Sequence, residues 1–234
     1  MTIKTIGLDG DDTLWHNEFY FREAEREFVV LLSCYADDAV IEEHLFQTIK
    51  HNLALYGYGI KAFVLSMIEA ALELGKQSIS TQLLNNIVEL GRSMMEKPVC
   101  LVDGVLPLLD ELKENYRLIL ISKGDPVEQE RKIAKSGLEP FFAALEIVSH
   151  KDKTAYEKLF KRHTILPQEM VMVGNSLKSD IVPVLEAGGW AVYIPYQITW
   201  ALERADEPYD YRRYLKIDKL SDLPQLLHHI SPMS

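Results

Sequence analysis

Two carboxylates, Asp9 and Asp11, stand two residues apart just after the short apolar run at residues 3–8. At that spacing beyond a strand end, both side chains can point into one loop mouth. A carboxylate is a competent nucleophile toward phosphorus and forms an aspartyl phosphate. Hard oxygens grouped this way also suit an octahedral magnesium ion that keeps part of its water shell. An isolated Asp-x-Asp is more often a solvated acidic turn; the buried run before it and Thr13-Leu14 after it favour a site. Further along, Ser122 and Lys123 precede Gly124 at the end of a second apolar run. A hydroxyl and backbone N–H groups in a glycine-containing loop hold phosphate oxygens, which makes Ser122 and Lys123 candidate phosphate binders. Lys151 follows a third run and supplies a point charge for a phosphoryl group and its nucleophile. Lys153, two residues on, competes for that role. The segment Gly174-Asn175-Ser176-Leu177-Lys178-Ser179-Asp180 follows a fourth run. There Asn175 and Asp180 offer oxygens to a cation, directly or through its waters, while Ser176 and Ser179 are ordinary helix caps.

What positions these residues is a repeated pattern. Residues 117–121 (Arg-Leu-Ile-Leu-Ile), 144–148, 170–173, 191–194 and 214–217 read as strands, each short and rich in branched apolar residues. Between them lie helical stretches at 105–115, 126–135, 153–163 and 181–187, and Ser221 is placed to cap a last helix running to residue 227. Apolar strands alternating with helices imply a parallel sheet covered on both faces. Ligands bind such sheets at the carboxyl ends of the strands. The loops holding Asp9, Ser122, Lys151 and Asn175 are therefore expected to converge, and together they form a kit for phosphoryl transfer: nucleophile, acid/base, phosphate clamp, cation and metal.

Residues 19–95 have a different texture. Apolar residues recur at helical spacing, as in Phe28, Leu31, Leu32 and Tyr35, then Ile41, Leu45, Ile49 and Leu53. Turn signals at Asp37-Asp38, Tyr56-Gly57-Tyr58-Gly59 and Gly75-Lys76-Gln77-Ser78 separate about four helices, and Ser80 is a candidate N-cap. No strand signal interrupts the block.

The four strand-end motifs, in this order, resemble the signature motifs of the haloacid dehalogenase-like superfamily. The first is Asp9-Gly10-Asp11-Asp12-Thr13-Leu14, the second Ser122, the third Lys151, and the fourth Gly174-Asn175 through Asp180. The resemblance implies an α/β fold with a Rossmann-like parallel sheet, helices on both faces, and an all-helical cap inserted after the first strand. It divides the chain into a core of residues 1–18 and 96–234 and a cap of residues 19–95. It also implies a mechanism. Asp9 attacks phosphorus, and Asp11 protonates the leaving oxygen and then deprotonates the hydrolytic water. Ser122 and Lys151 hold the phosphoryl group. Mg2+ is held by Asp9, the Asp11 carbonyl and the fourth motif. Three departures stand out: Asp12 where the family usually has Gly, Asn175 where it usually has Asp, and no Pro after Lys151. The implied activity is a magnesium-dependent phosphohydrolase acting on a small phosphorylated metabolite. Alternatives of the same fold are a metal-independent 2-haloacid dehalogenase, against which Asp11 and Asp180 argue, and a sugar-phosphate mutase.

Bulk properties fit an enzyme of this kind. The 234 residues are 47% hydrophobic and 26% charged, enough for a sizeable core. The net charge of −10, from 35 acidic and 25 basic residues, opposes nucleic acid and anionic membrane as partners. No apolar stretch reaches membrane-spanning length and the N-terminus lacks a signal peptide, so the expectation is a cytoplasmic protein. Cys34 and Cys100 fit no zinc or CxxC spacing and are expected to be reduced, partly buried thiols.

Overall fold

A computed structural model describes residues 2–233. The chain forms two compact units, Met1–His16 with Val99–Ser234, and Asn17–Pro98. The expected crossings at residues 18 and 95 thus fall at 16 and 98. Strand β1 (Thr5–Leu8) is followed by the helices α1 (Glu18–Leu32), α2 (Asp38–Tyr56), α3 (Ile60–Gly75) and α4 (Thr81–Glu96) of the second unit. The chain then returns through α5 (Val105–Leu112), β2 (Arg117–Lys123), α6 (Pro126–Ser136), β3 (Ala144–Val148) and α7 (Lys153–His163). It closes with β4 (Met170–Gly174), α8 (Val182–Glu186), β5 (Trp190–Tyr193), β6 (Tyr214–Lys216) and α9 (Leu223–Met233).

All six strands pair in parallel in the order β3-β2-β1-β4-β5-β6. β1 is central, and successive strands run outward from it in opposite directions, first β2 and β3, then β4, β5 and β6. That reversal beside β1 is the topological switch point where such sheets open a crevice. Alternation along the strands builds two core layers. Leu118 and Leu120 join Ile6, Leu8, Val171 and Val173 against Leu109 of α5 and Leu227 of α9. Ile119 and Ile121 join Met170 and Met172 against Tyr156 and Phe160 of α7 and Val184 of α8. Burial of both faces at the inner strands explains why β1, β4 and most of β2 carry apolar residues throughout rather than at every second position.

The helical unit has its own core of Phe28, Leu32, Ile41, Leu45, Phe63, Met67, Ile87 and Leu90, with Leu31, Tyr35 and Ile49 packed partly buried around it. The Ser80 hydroxyl caps α4 by accepting the Leu83 N–H at 3.1 Å. A polar cluster lies between α2 and α3. Buried Asn52 donates to Glu69 (2.5 Å) and to Ser66 (3.2 Å), and the Tyr56 hydroxyl donates to Glu69 (2.6 Å).

Four local expectations need correction. Ser221 does not cap the last helix; it lies inside a 3-10 turn, Leu220–Asp222, and the helix starts at Leu223. The helix expected at 181–187 is shorter, because Leu177–Ile181 forms a π-turn before it. Strand β2 continues to Lys123, two residues past its expected end at 121. Cys34 and Cys100 are both exposed rather than partly buried, and no disulfide joins them.

Candidate active site

The ladder continues past β1, where the Asp9 N–H donates to the Val173 carbonyl at 3.0 Å. Leu8 pairs with Leu120 and Val173, so Asp9, Ser122 and Asn175 leave adjacent strands at nearly one level. After Asp9 the chain turns back tightly, with the Leu14 N–H on the Gly10 carbonyl (2.8 Å) and the Asp12 N–H on the Trp15 carbonyl (2.7 Å). Asp12 carries the strain of this turn at φ +62°. Glycine adopts that left-handed conformation at little cost, and Asp is among the few other residues that enter it. Asp12 therefore shapes the loop.

Asp9 is 6% exposed and Lys151 equally so, and the Lys151 ammonium bonds directly to Asp9 Oδ1. The same ammonium reaches Asp180 Oδ1 at 2.7 Å. Asp180 Oδ2 accepts the Ser176 N–H at 3.0 Å, so both its oxygens are engaged by Lys151 and the β4 loop. Gly174 makes this closure possible, since a Cβ there would lie 2.3 Å from Asp180 Oδ2. One cation thus serves two buried carboxylates. Burial and the Asp180 charge push Asp9 up to about 7 against the pull of Lys151. Burial pushes Lys151 down, and the two carboxylates more than reverse this, so the proton stays on the lysine. Lys153, the competing lysine, pairs with Glu157 at 3.8 Å on the exposed side of α7.

The Thr13 hydroxyl donates to Asp9 Oδ2 (3.2 Å). The end of the Asn175 amide sits 3.1 Å from the Asp11 carbonyl oxygen and 3.2 Å from Asp9 Oδ2. With its nitrogen turned inward, the amide donates to both. A hard divalent ion would instead be met by the amide turned over, so that its oxygen joins Asp9 and the Asp11 carbonyl as a donor. The donor set of Asp9, the Asp11 carbonyl and Asn175 therefore fits a hard divalent ion.

The Asp11 side chain is held separately. It accepts from Lys132 (2.7 and 2.9 Å), Gln129 (2.9 Å) and the Trp15 indole (2.6 Å). Burial pushes Asp11 up, but Lys132 and these hydrogen bonds outweigh it and hold the carboxyl below the usual carboxylate range. Ser122 is buried, and its hydroxyl oxygen has no hydrogen-bond partner. Such an orphan is costly unless a ligand meets it. Lys123 is placed otherwise than expected. Its ammonium bonds to Glu203 (2.5 Å) and Ser179 (2.9 Å). Glu203 in turn accepts from Ser176 (2.6 Å) and Ser179 (2.5 Å), locking the β2 and β4 loops together.

Sequence reasoning missed Lys132, Gln129 and Glu203. The first two stand three residues apart on α6, whose start is fixed by the Asp125 cap on the Glu128 N–H (3.0 Å). That spacing puts them on one face, a signal that was available. Glu203 lies in a short turn after β5, and no pattern marks it.

A family profile for haloacid dehalogenase-like hydrolases matches residues 3–188. The chain belongs to that family. A solved haloacid dehalogenase-like family hydrolase from Xanthomonas campestris is 38% identical to this hydrolase, with a TM-score of 0.89 over 99% of this chain and 93% of the other. The solved 2-haloacid dehalogenase from Pseudomonas syringae shares the fold at 22% identity and a TM-score of 0.66, covering 98% of this chain and 100% of the other. Among curated relatives, the glyceraldehyde 3-phosphate phosphatase of Pyrococcus furiosus is 31% identical over 51% of this chain and 50% of its own length. The N-acylneuraminate-9-phosphatase of Mus musculus is 32% identical over 42% of each chain. The hydrolase thus matches about half the length of these curated relatives or less. Among the described residues, no helix is long and apolar enough to cross a membrane.

Proposed function

We propose that this hydrolase is a magnesium-dependent phosphatase of small phosphorylated metabolites, working through an aspartyl phosphate on Asp9. The observation that carries the reading is the buried Asp9 carboxylate held by Lys151, beside a buried Ser122 hydroxyl with no partner of its own. The unpartnered hydroxyl suits a phosphate oxygen, and Lys151 suits the phosphoryl charge. Asp9 forms the new bond to phosphorus as the bond to the leaving oxygen breaks; Asp11, which Lys132 holds ionised in the free protein, has to take up a proton as substrate binds before passing it to that oxygen. Water then attacks phosphorus and gives its proton to Asp11, releasing phosphate and restoring Asp9. Asp9, the Asp11 carbonyl and Asn175 would hold the magnesium ion, which supplies charge neutralisation for the phosphoryl group. Asp180 acts from behind, orienting Lys151 and closing the β4 loop.

The substrate class is supported by the relatives' names, which specify a three-carbon sugar phosphate and a phosphorylated sugar acid. The test is phosphate release from a panel of sugar phosphates and from p-nitrophenyl phosphate, with magnesium and with EDTA. Turnover should require magnesium and vanish in Asp9→Asn. Turnover that survives both EDTA and loss of Asp9 refutes the assignment.

A further inference from the structure

We infer that Glu203, anchored by Lys123, is a positioning residue that sets the Asn175 amide for the cation by way of Ser176. This rests on the magnesium reading above. Glu203 lies outside the four strand-end motifs, in a single turn, Ala201–Glu203, beyond β5. Its two oxygens nevertheless meet three side chains from the ends of β2 and β4: Lys123 on Oε1, and the Ser176 and Ser179 hydroxyls on Oε2. Each of those three is the chain neighbour of a residue of the site. Lys123 follows Ser122, Ser176 follows Asn175, and Ser179 precedes Asp180.

The place of this clamp in the sheet gives it its use. β1 lies between β2 and β4, so the loops carrying Ser122 and Asn175 leave strands that do not pair with each other. Lys123 spans that gap, reaching the Ser179 hydroxyl (2.9 Å) and Glu203 (2.5 Å). The segment that carries Glu203 is itself fastened to the β4 loop at both ends. The Ile194 N–H donates to the Gly174 carbonyl at 3.0 Å, and Lys178 Nζ donates to the Leu202 carbonyl at 2.7 Å. Ser176 is the joint. Its hydroxyl donates to Glu203 (2.6 Å) and accepts the Ser179 N–H (3.0 Å), while its own N–H goes to Asp180 (3.0 Å). The residue after Asn175 is thus held by both backbone and side chain, which restricts where the Asn175 amide can point. The Lys123 and Glu203 side chains are only 13% and 14% exposed. An ion pair so far from water adds little net stability after its desolvation, but it restricts geometry, since either charge left alone is costly. Groups one step behind a metal ligand fix its orientation, and losing one lowers metal affinity about 10- to 100-fold.

The test measures cation affinity without turnover. Mn2+ takes the same oxygen ligands as Mg2+, and titration followed by its electron paramagnetic resonance signal gives Kd. The proteins are the unaltered chain, Glu203→Gln, Ser176→Ala, Asn175→Ala and the Glu203→Gln/Asn175→Ala double variant, each shown to be folded by circular dichroism. Glu203→Gln and Ser176→Ala should each raise Kd about tenfold, at the lower end of that range because they act one residue removed from the ligand. Asn175→Ala should raise it at least as far. Adding Glu203→Gln to it should cost under about twofold more, because no amide is left to place. An unchanged Kd in either Glu203→Gln or Ser176→Ala overturns the inference. So does a full tenfold loss that persists without Asn175, which would make Glu203 a distant charge on the cation. If Glu203→Gln does not fold, Ser176→Ala, alone and with Asn175→Ala, decides by the same readings. An unaltered chain that binds no Mn2+ refutes the magnesium reading itself and the inference with it, a result distinct from these.

Discussion

Asp9→Asn should stabilise the cation-free protein above neutral pH. In the folded chain Asp9 is pushed to about 7, from 3.8 in a model peptide, chiefly by burial and by Asp180. A carboxyl with a raised folded pKa binds its proton more tightly in the native state, so stability falls as pH rises. The loss begins near the unfolded value of 3.8 and is complete above about 7. Each pKa unit corresponds to about 1.4 kcal/mol, so ionised Asp9 costs about 4 kcal/mol at pH 8 and under about 2 kcal/mol at pH 5. Asparagine resembles the protonated acid in shape and carries no charge, and Lys151 keeps Asp180 as its partner. Thermal unfolding in EDTA at pH 5, 6, 7 and 8 measures the effect. At about 2–4 °C per kcal/mol for a chain of this size, the variant should melt at least about 5 °C higher at pH 8, and the gap should shrink toward pH 5. Magnesium should raise the melting point of the unaltered chain and narrow the same gap, because a bound divalent cation favours the ionised carboxylate. A variant less stable than the unaltered chain at pH 8 in EDTA, or a gap independent of pH, refutes the electrostatic account of the site.

Two further outcomes follow from named contacts. Ser122→Ala removes a buried hydroxyl without a partner, so the melting temperature should hold or rise while kcat/KM for phosphate esters falls about tenfold, consistent with one lost hydrogen bond to a charged group. Glu203 is pushed up by burial but held below the usual carboxylate range by Lys123 and the two serine hydroxyls. Its stabilising contribution is therefore complete above the unfolded value of about 4.5 and lost as pH falls through the lower folded value. Glu203→Gln should lower stability at pH 7 and flatten the decline on acidification, as read by urea unfolding at pH 3.5 to 7; a variant whose acid limb matches the unaltered chain counts against this.

Legibility followed physical range. The inner strands could be read because both their faces are buried, which leaves uninterrupted branched apolar runs such as Leu118-Ile119-Leu120-Ile121. The strand-end residues Asp9, Ser122, Lys151 and Asn175 could be read because the chemistry and the strand end fall within two or three residues of each other. What escaped depends on contacts across long stretches of chain. Asp11 meets Gln129 and Lys132 at separations of 118 and 121 residues, and Lys123 meets Glu203 at 80. Lys123 was a candidate phosphate binder as part of the glycine-containing loop with Ser122, but strand alternation turns the two side chains to opposite sides and Lys123 reaches Glu203 and Ser179. The π-turn at Leu177–Ile181 had no local signature either; it lies where Asp180 turns back to cap the Ser176 N–H.

The central position of β1 bears on how the chain is assembled. It is only four residues long, entirely buried, and precedes the other five strands in the chain, yet its partners begin at Arg117 and Met170. Thr5 meets Arg117 at a separation of 112 positions in the chain. Pairing early costs loop-closure entropy and slows folding. The helical unit stands inside that gap with a core of its own. Once folded, it replaces most of a floppy loop by a compact body whose ends, at Asn17 and Pro98, pass to His16 and Val99 of the sheet unit. His16 and Cys100 are already joined there, through the His16 N–H on the Cys100 carbonyl at 2.9 Å. The insertion thus shortens the effective distance the nucleophile strand must search. Were it to fold before the sheet, its compactness would be a kinetic service to β1 pairing.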